Sequence, residues 1–67
     1  MTNDDVLQKI QHLIGSPYVF SVKAYITELT GRTRVVGPNE VSTKELDLNR
    51  IHIIANDEST IKSFNFG

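Results

Sequence analysis

The stretch GPNEVSTKELDLN, residues 37–49, has neither the period of a helix nor that of a strand, and it separates one short apolar run ending at Val35 and Val36 from another beginning at Ile51. A connection of this length without structure of its own is uncommon in a compact domain, and such loops are either functional or disordered. The composition argues against disorder. Pro38 stiffens the start, and Val41, Thr43, Leu46 and Leu48 are poor choices for a solvated linker. The chain has 67 residues and no cysteine, so a small core alone must hold the fold, with little margin for an idle loop. If the flanking runs are neighbouring parallel strands, the stretch is their crossover and bulges from one end of the sheet.

The rest of the chain supplies short elements. NDDVLQKIQHLIG offers a cap at Asn3, acids in the first turn, and Val6, Ile10, Leu13 and Ile14 at helical spacing, which reads as a short amphipathic helix or a frayed arm. SPYVFSVKAYITELTG carries two patterns. Ser16 and Pro17 make a helix start, Tyr18, Val22, Tyr25, Ile26 and Leu29 keep helical spacing, and Gly31 is a stop. Tyr18, Phe20, Val22, Ala24 and Ile26 also alternate, with the β-branched and aromatic content of a strand. RTRVV is a short strand closed by Gly37 and Pro38, RIHIIA is apolar enough for the middle of a sheet, NDES is a turn, and IKSFNFG is a strand with Phe64 and Phe66 on one face. The expected class is α+β, one small domain over residues 1–67, with residues 1–12 as an N-terminal extension.

Charge and motif content exclude several functions. The formal net charge is -1 with charges spread along the chain, which provides no field for phosphate backbones and argues against nucleic acid as a partner. No apolar run approaches the roughly 20 residues that span a bilayer, and the acidic start MTNDDVLQ is unlike a secretory signal. The expectation is a soluble monomer, cytosolic or secreted as a mature form. His12 and His52 are too few and too far apart for a metal site, and no cofactor motif is present. Ser42 and His52 lack the elbow turn and oxyanion hole of a hydrolase, so the chain does not read as an enzyme. Arg32 and Arg34 read as exposed edge charge, and His12 as a helix surface residue.

Within the long loop the residues are more telling. Side chains alternate along RIHII, so if Ile51 and Ile53 enter the core, Arg50 and His52 lie on the other side, two donors reaching toward the loop. Thr43 and Glu45 flank Lys44 and accept hydrogen bonds, and an Arg50 to Glu45 bond would be charge-assisted. Lys44 then points outward, one long cation on a propped, convex segment.

LIG at residues 13–15, and then RTRVVGP through VSTKELDLNRIHI to the closing glycine, resemble the potato inhibitor I family of serine protease inhibitors. Eglin and the barley chymotrypsin inhibitors belong to it, and bacterial and fungal elastase inhibitors are related. The resemblance covers roughly the last four-fifths of the chain. In that family a valine and a threonine precede the primary specificity residue, an acid follows it, and an arginine lies six positions on. Counting back from Arg50, the resemblance implies Lys44 as specificity residue and Lys44–Glu45 as scissile bond, within a binding loop over residues 38–49. It further implies Val41, Ser42 and Thr43 as upstream contacts, Leu46 and Asp47 as downstream contacts, and Arg50, His52 and Gly67 as supports, the Gly67 carboxylate holding the arginine.

The resemblance also implies a helix over Pro17 to Leu29 packed across a small mixed sheet, with the loop between two parallel strands. His52 replaces a second supporting arginine of several members, which implies a weaker, pH-dependent bond to Thr43. Ile10 stands where plant members have tryptophan, and the segment before Leu13 has no counterpart in the pattern. Lysine at the specificity position suits a pocket with an acid at its base, as in trypsin. Subtilisin-like proteases, with open pockets, are the second expected target. A rival reading is a small non-enzymatic interaction module.

Overall fold

The computed structural model describes residues 2–41 and 46–67. The first helix, α1, runs over Asn3–Ile10. Its cap is Thr2, one residue before the expected Asn3. The Thr2 hydroxyl accepts from the Asp5 amide at 3.2 Å while the Asp5 carboxylate accepts from the Thr2 amide at 3.1 Å, a reciprocal capping box. Those two bonds to Thr2 hold the Asp5 carboxyl below its ordinary value. Eight residues form a marginal helix in water, so burial must stabilise it. Val6 and Ile10, one turn apart, are fully buried. A 3-10 turn over Gln11–Leu13 follows, leading to Gly15 at φ +93°. His12 on this turn is exposed, its Nε2 lying 3.2 Å from the Tyr25 hydroxyl.

The second helix, α2, spans Ser21–Thr30 and buries Val22, Ile26 and Thr30 at four-residue spacing. It ends at Gly31 in the left-handed region, φ +72°, whose amide donates to the Thr27 carbonyl at 2.8 Å. The helix therefore takes the ambiguous segment, but it starts four residues later than the expected Pro17. The reason is tertiary pairing. Pro17 bridges Thr60, and the bonds Gly15 N to Ile61 O, Tyr18 N to Ser59 O and Ile61 N to Ser16 O hold residues 15–18 extended along the last strand. Proline has no amide to donate, so an isolated bridge suits it as well as a helix start does.

Three strands complete the fold: β1 at Val35–Val36, β2 at Ile51–Ala55 and β3 at Ile61–Phe66, in the order β1-β2-β3. β1 and β2 are parallel, with Val35 opposite Ile51, so the long connection is the crossover that parallel pairing requires. β2 and β3 are antiparallel, with Ile53 opposite Phe64 and a bulge between Ile54 and Ala55. Both helices contribute to one cluster with Val35, Ile51, Ile53, Ile61 and Phe64, so they share the core face of the sheet. The fold is an α+β single small domain with a three-stranded mixed sheet. Ile54 falls on the opposite face and is partly exposed. No helix among the described residues is long and apolar enough to cross a membrane.

Candidate functional site

The crossover leaves β1 at Gly37 and rejoins the sheet at Ile51, and its two feet are built differently. At the N-terminal foot the sequence Gly-Pro-Asn-Glu makes a turn in which the Glu40 amide donates to the Gly37 carbonyl at 3.2 Å. Pro38 presets its own φ, and Asn39 takes φ +65°, which asparagine tolerates better than most residues. The turn brings the Glu40 carboxylate back over Gly37. A Cβ on Gly37 would overlap both that carboxylate and the Tyr18 hydroxyl, the latter at 2.6 Å, so a larger residue here would make those two side-chain ends shift. Glu40 Oε1 then accepts from Lys23 Nζ on α2 at 2.8 Å. That bond holds the Glu40 carboxyl below its ordinary value. Desolvation, with the Glu40 charge second, pushes the Tyr18 hydroxyl up.

At the C-terminal foot the chain makes a second turn, and side chains from two other segments, α1 and the approach to β1, meet it. Asp47 accepts on both sides: its Oδ1 from the Asn49 amide at 2.9 Å and its Oδ2 from Arg34 Nη1 at 2.8 Å. The Arg50 amide donates to the Asp47 carbonyl at 2.9 Å. Arg32 Nη1 donates to the Asn49 carbonyl at 3.2 Å and to Asn3 Oδ1 at 2.9 Å. Asn3 Nδ2, on the first turn of α1, donates to the Leu48 carbonyl at 3.1 Å.

Arg50 is buried, only 4% exposed, and its Nε donates to the Gly67 oxygen at 2.8 Å. His52 Nε2 lies 2.5 Å from that same oxygen. An oxygen of this kind accepts, so the proton sits on Nε2. The Gly67 amide in turn donates to the Arg50 carbonyl at 3.2 Å. One main-chain oxygen thus holds one donor from β2 and one from its approach, His52 and Arg50, at the end of the sheet where the crossover returns.

The apolar side chains of the connection do the opposite of core residues. Val41 is 98% exposed, Leu46 81% and Leu48 60%. They stand on either side of residues 42–45. Ser42, Thr43, Lys44 and Glu45, and with them the expected bonds from Arg50 to Glu45 and from His52 to Thr43, lie outside the described residues. Of the expected contact residues that are described, Val41 and Leu46 face solvent, while the Asp47 carboxylate is engaged inward with Arg34 and Asn49. Asp47 therefore supports the foot it belongs to.

Arg32 and Arg34, expected as ordinary edge charge, are instead structural partners of the loop. A signal for this was present in the sequence. Alternation puts Arg32 and Arg34 on the same side of their segment as Val36, and Val36 is opposite His52, so the face that carries Arg50 and His52 also receives the two arginines. Asn3 left no such signal, because its partner is 45 residues away. Among the described residues no group of histidine or carboxylate side chains is placed to hold a metal ion. Set against family models, curated proteins and solved structures, the chain matches none.

Proposed function

We propose that this chain is a serine protease inhibitor whose residues 38–49 enter a protease cleft as a substrate-like strand, with Lys44 as primary specificity residue and Lys44–Glu45 as the scissile bond. The observation that carries the reading is the contrast within the crossover. Its C-terminal foot is bonded to the approach of β1, α1 and the end of β3, while Val41, Leu46 and Leu48 are turned outward in a chain that has few apolar residues to spare. Exposed apolar side chains on a braced segment suit a partner that supplies the missing apolar surface.

A protease binds its substrate extended, and an unconstrained peptide loses conformational entropy on entering the cleft. A segment held at its feet loses less, so the same contacts bind more tightly. After cleavage the same supports keep the new amine beside the acyl-enzyme, so religation competes with hydrolysis. Lysine at the specificity position favours trypsin-like enzymes, since an apolar pocket would have to desolvate the ammonium without a counter-charge, at a cost of several kcal/mol.

Titration of trypsin with the purified chain tests this. The expected result is stoichiometric inhibition with a dissociation constant on the order of nanomolar or below. Lys44→Leu should lose trypsin and gain activity against chymotrypsin-like or subtilisin-like enzymes. Binding without inhibition would favour the rival reading, an interaction module, for which Phe20 at the start of α2, 85% exposed and remote in sequence from the loop, is the supporting observation.

A further inference from the structure

We infer that Asn3, on the N-terminal helix, is a positioning residue for the binding loop, so that α1 is part of the inhibitory device and not an appendage. This rests on the inhibitor reading for its functional meaning, though the tie itself does not. Asn3 uses both ends of its amide: Nδ2 donates to the Leu48 carbonyl at 3.1 Å and Oδ1 accepts from Arg32 Nη1 at 2.9 Å. The same Arg32 nitrogen donates to the Asn49 carbonyl at 3.2 Å. The carbonyls of two successive residues in the loop are therefore held by three hydrogen bonds running through two side chains, Asn3 and Arg32, starting on α1.

The geometry around Asn3 separates this role from helix formation. The helix cap is Thr2, and the capping box pairs Thr2 with Asp5, so neither bond involves the Asn3 side chain. Position Asn3 is the first residue inside the helix, where alanine is tolerated without loss of propensity. What holds α1 in place is burial of Val6 and Ile10 in the core. A helix anchored there carries Asn3 as a fixed arm. The Leu48 carbonyl is four residues beyond Lys44, close enough in the chain that freedom gained there is passed to the segment a protease must grip.

The consequence is a split between binding and turnover. Asn3 reaches the loop at the Leu48 carbonyl, outside the expected contact residues 41–47, so the association rate with trypsin should be unchanged in Asn3→Ala. The hydrolysis rate at Lys44–Glu45 should rise, roughly fivefold to tenfold for the loss of one or two such hydrogen bonds. Asp4→Ala is the control, since Asp4 is exposed in the same turn and takes no part in the tie.

The test uses the full chain in three forms, wild type, Asn3→Ala and Asp4→Ala. Amide hydrogen exchange is measured at Asn49 and Arg50, whose amides bond to Asp47, together with association and hydrolysis constants against trypsin. Faster exchange at those amides in Asn3→Ala alone, with the split in rates, is the expected result. Equal exchange in Asn3→Ala and Asp4→Ala overturns the inference. Exchange needs no protease, so if wild type fails to inhibit trypsin, the inhibitor reading falls while the brace is still decided.

Discussion

The two feet of the crossover are held by different means. The N-terminal foot depends on a local turn, on the absence of a Cβ at Gly37, and on one exposed ion pair to α2. The C-terminal foot is tied to α1 through Asn3, to the approach of β1 through Arg32 and Arg34, and to the end of β3 through a buried Arg50. Exposed ion pairs contribute little, because water screens them and two long side chains must be ordered. Bonds to a buried guanidinium contribute more, because removing one partner strands the other away from water. The cross-segment bonds are therefore gathered at the C-terminal foot, which in the proposed inhibitor is the side of the leaving amine. For an inhibitor that relies on religation, that is the side that must not drift.

Four experiments break or sharpen this contrast, in order of expected size. Arg50→Ala should cost about 3 kcal/mol in denaturant unfolding, because it empties a buried site and leaves the Gly67 oxygen with His52 as its side-chain donor. The fold should survive, and the chain should be cut faster after Lys44. Equal inhibition by this variant would show that Arg50 is not the support. Gly37→Ala should cost about 1 kcal/mol, since the ends of both the Glu40 and Tyr18 side chains must shift to admit the methyl group. Its effect should be confined to the N-terminal foot, seen as faster exchange at Glu40 with no change at Arg50.

A double-mutant cycle on Arg34 and Asp47 should give a coupling of about 1 kcal/mol or less, as the pair is partly exposed. The accompanying loss of loop order should show at Asn49. The smallest effect belongs to Lys23→Ala, whose main signature is in its pH dependence. Because Lys23 holds the Glu40 carboxyl below its ordinary 4.5, this pair adds stability that is complete above that pH and is lost as pH falls through the lowered value. The variant should be slightly less stable than wild type at neutral pH, and the difference should vanish as pH falls through the lowered value. An unaltered acid profile would remove the ion pair from the description of this foot.

Much of the scaffold could be read from local pattern, and the places where pattern failed share one cause. The strands at Ile51–Ala55 and Ile61–Phe66, the turn between them, and the glycine that ends α2 all follow from short-range chemistry, β-branched runs, Asn56 accepting from the Glu58 and Thr60 amides, and a left-handed Gly31. The start of α2 was misplaced because Pro17 is committed to Thr60, a pairing across more than forty residues that no local signal encodes. The same holds at the loop. Strand alternation placed Arg50 and His52 on the loop side and could have placed Arg32 and Arg34 there too, whereas Asn3 depends on how α1 is brought to the end of the sheet. Gly37 was read as a strand stop, and its need for space became evident only with Glu40 folded back over it.

The central claim is that the braced segment binds a trypsin-like cleft and is not released by hydrolysis there. Incubating the chain with a catalytic amount of trypsin, and following both intact mass and residual protease activity over time, tests it most directly. The account predicts slow cleavage confined to Lys44–Glu45, levelling at a mixture of intact and clipped chain while trypsin stays inhibited. Rapid, complete cleavage after Lys44 with full return of protease activity would contradict it.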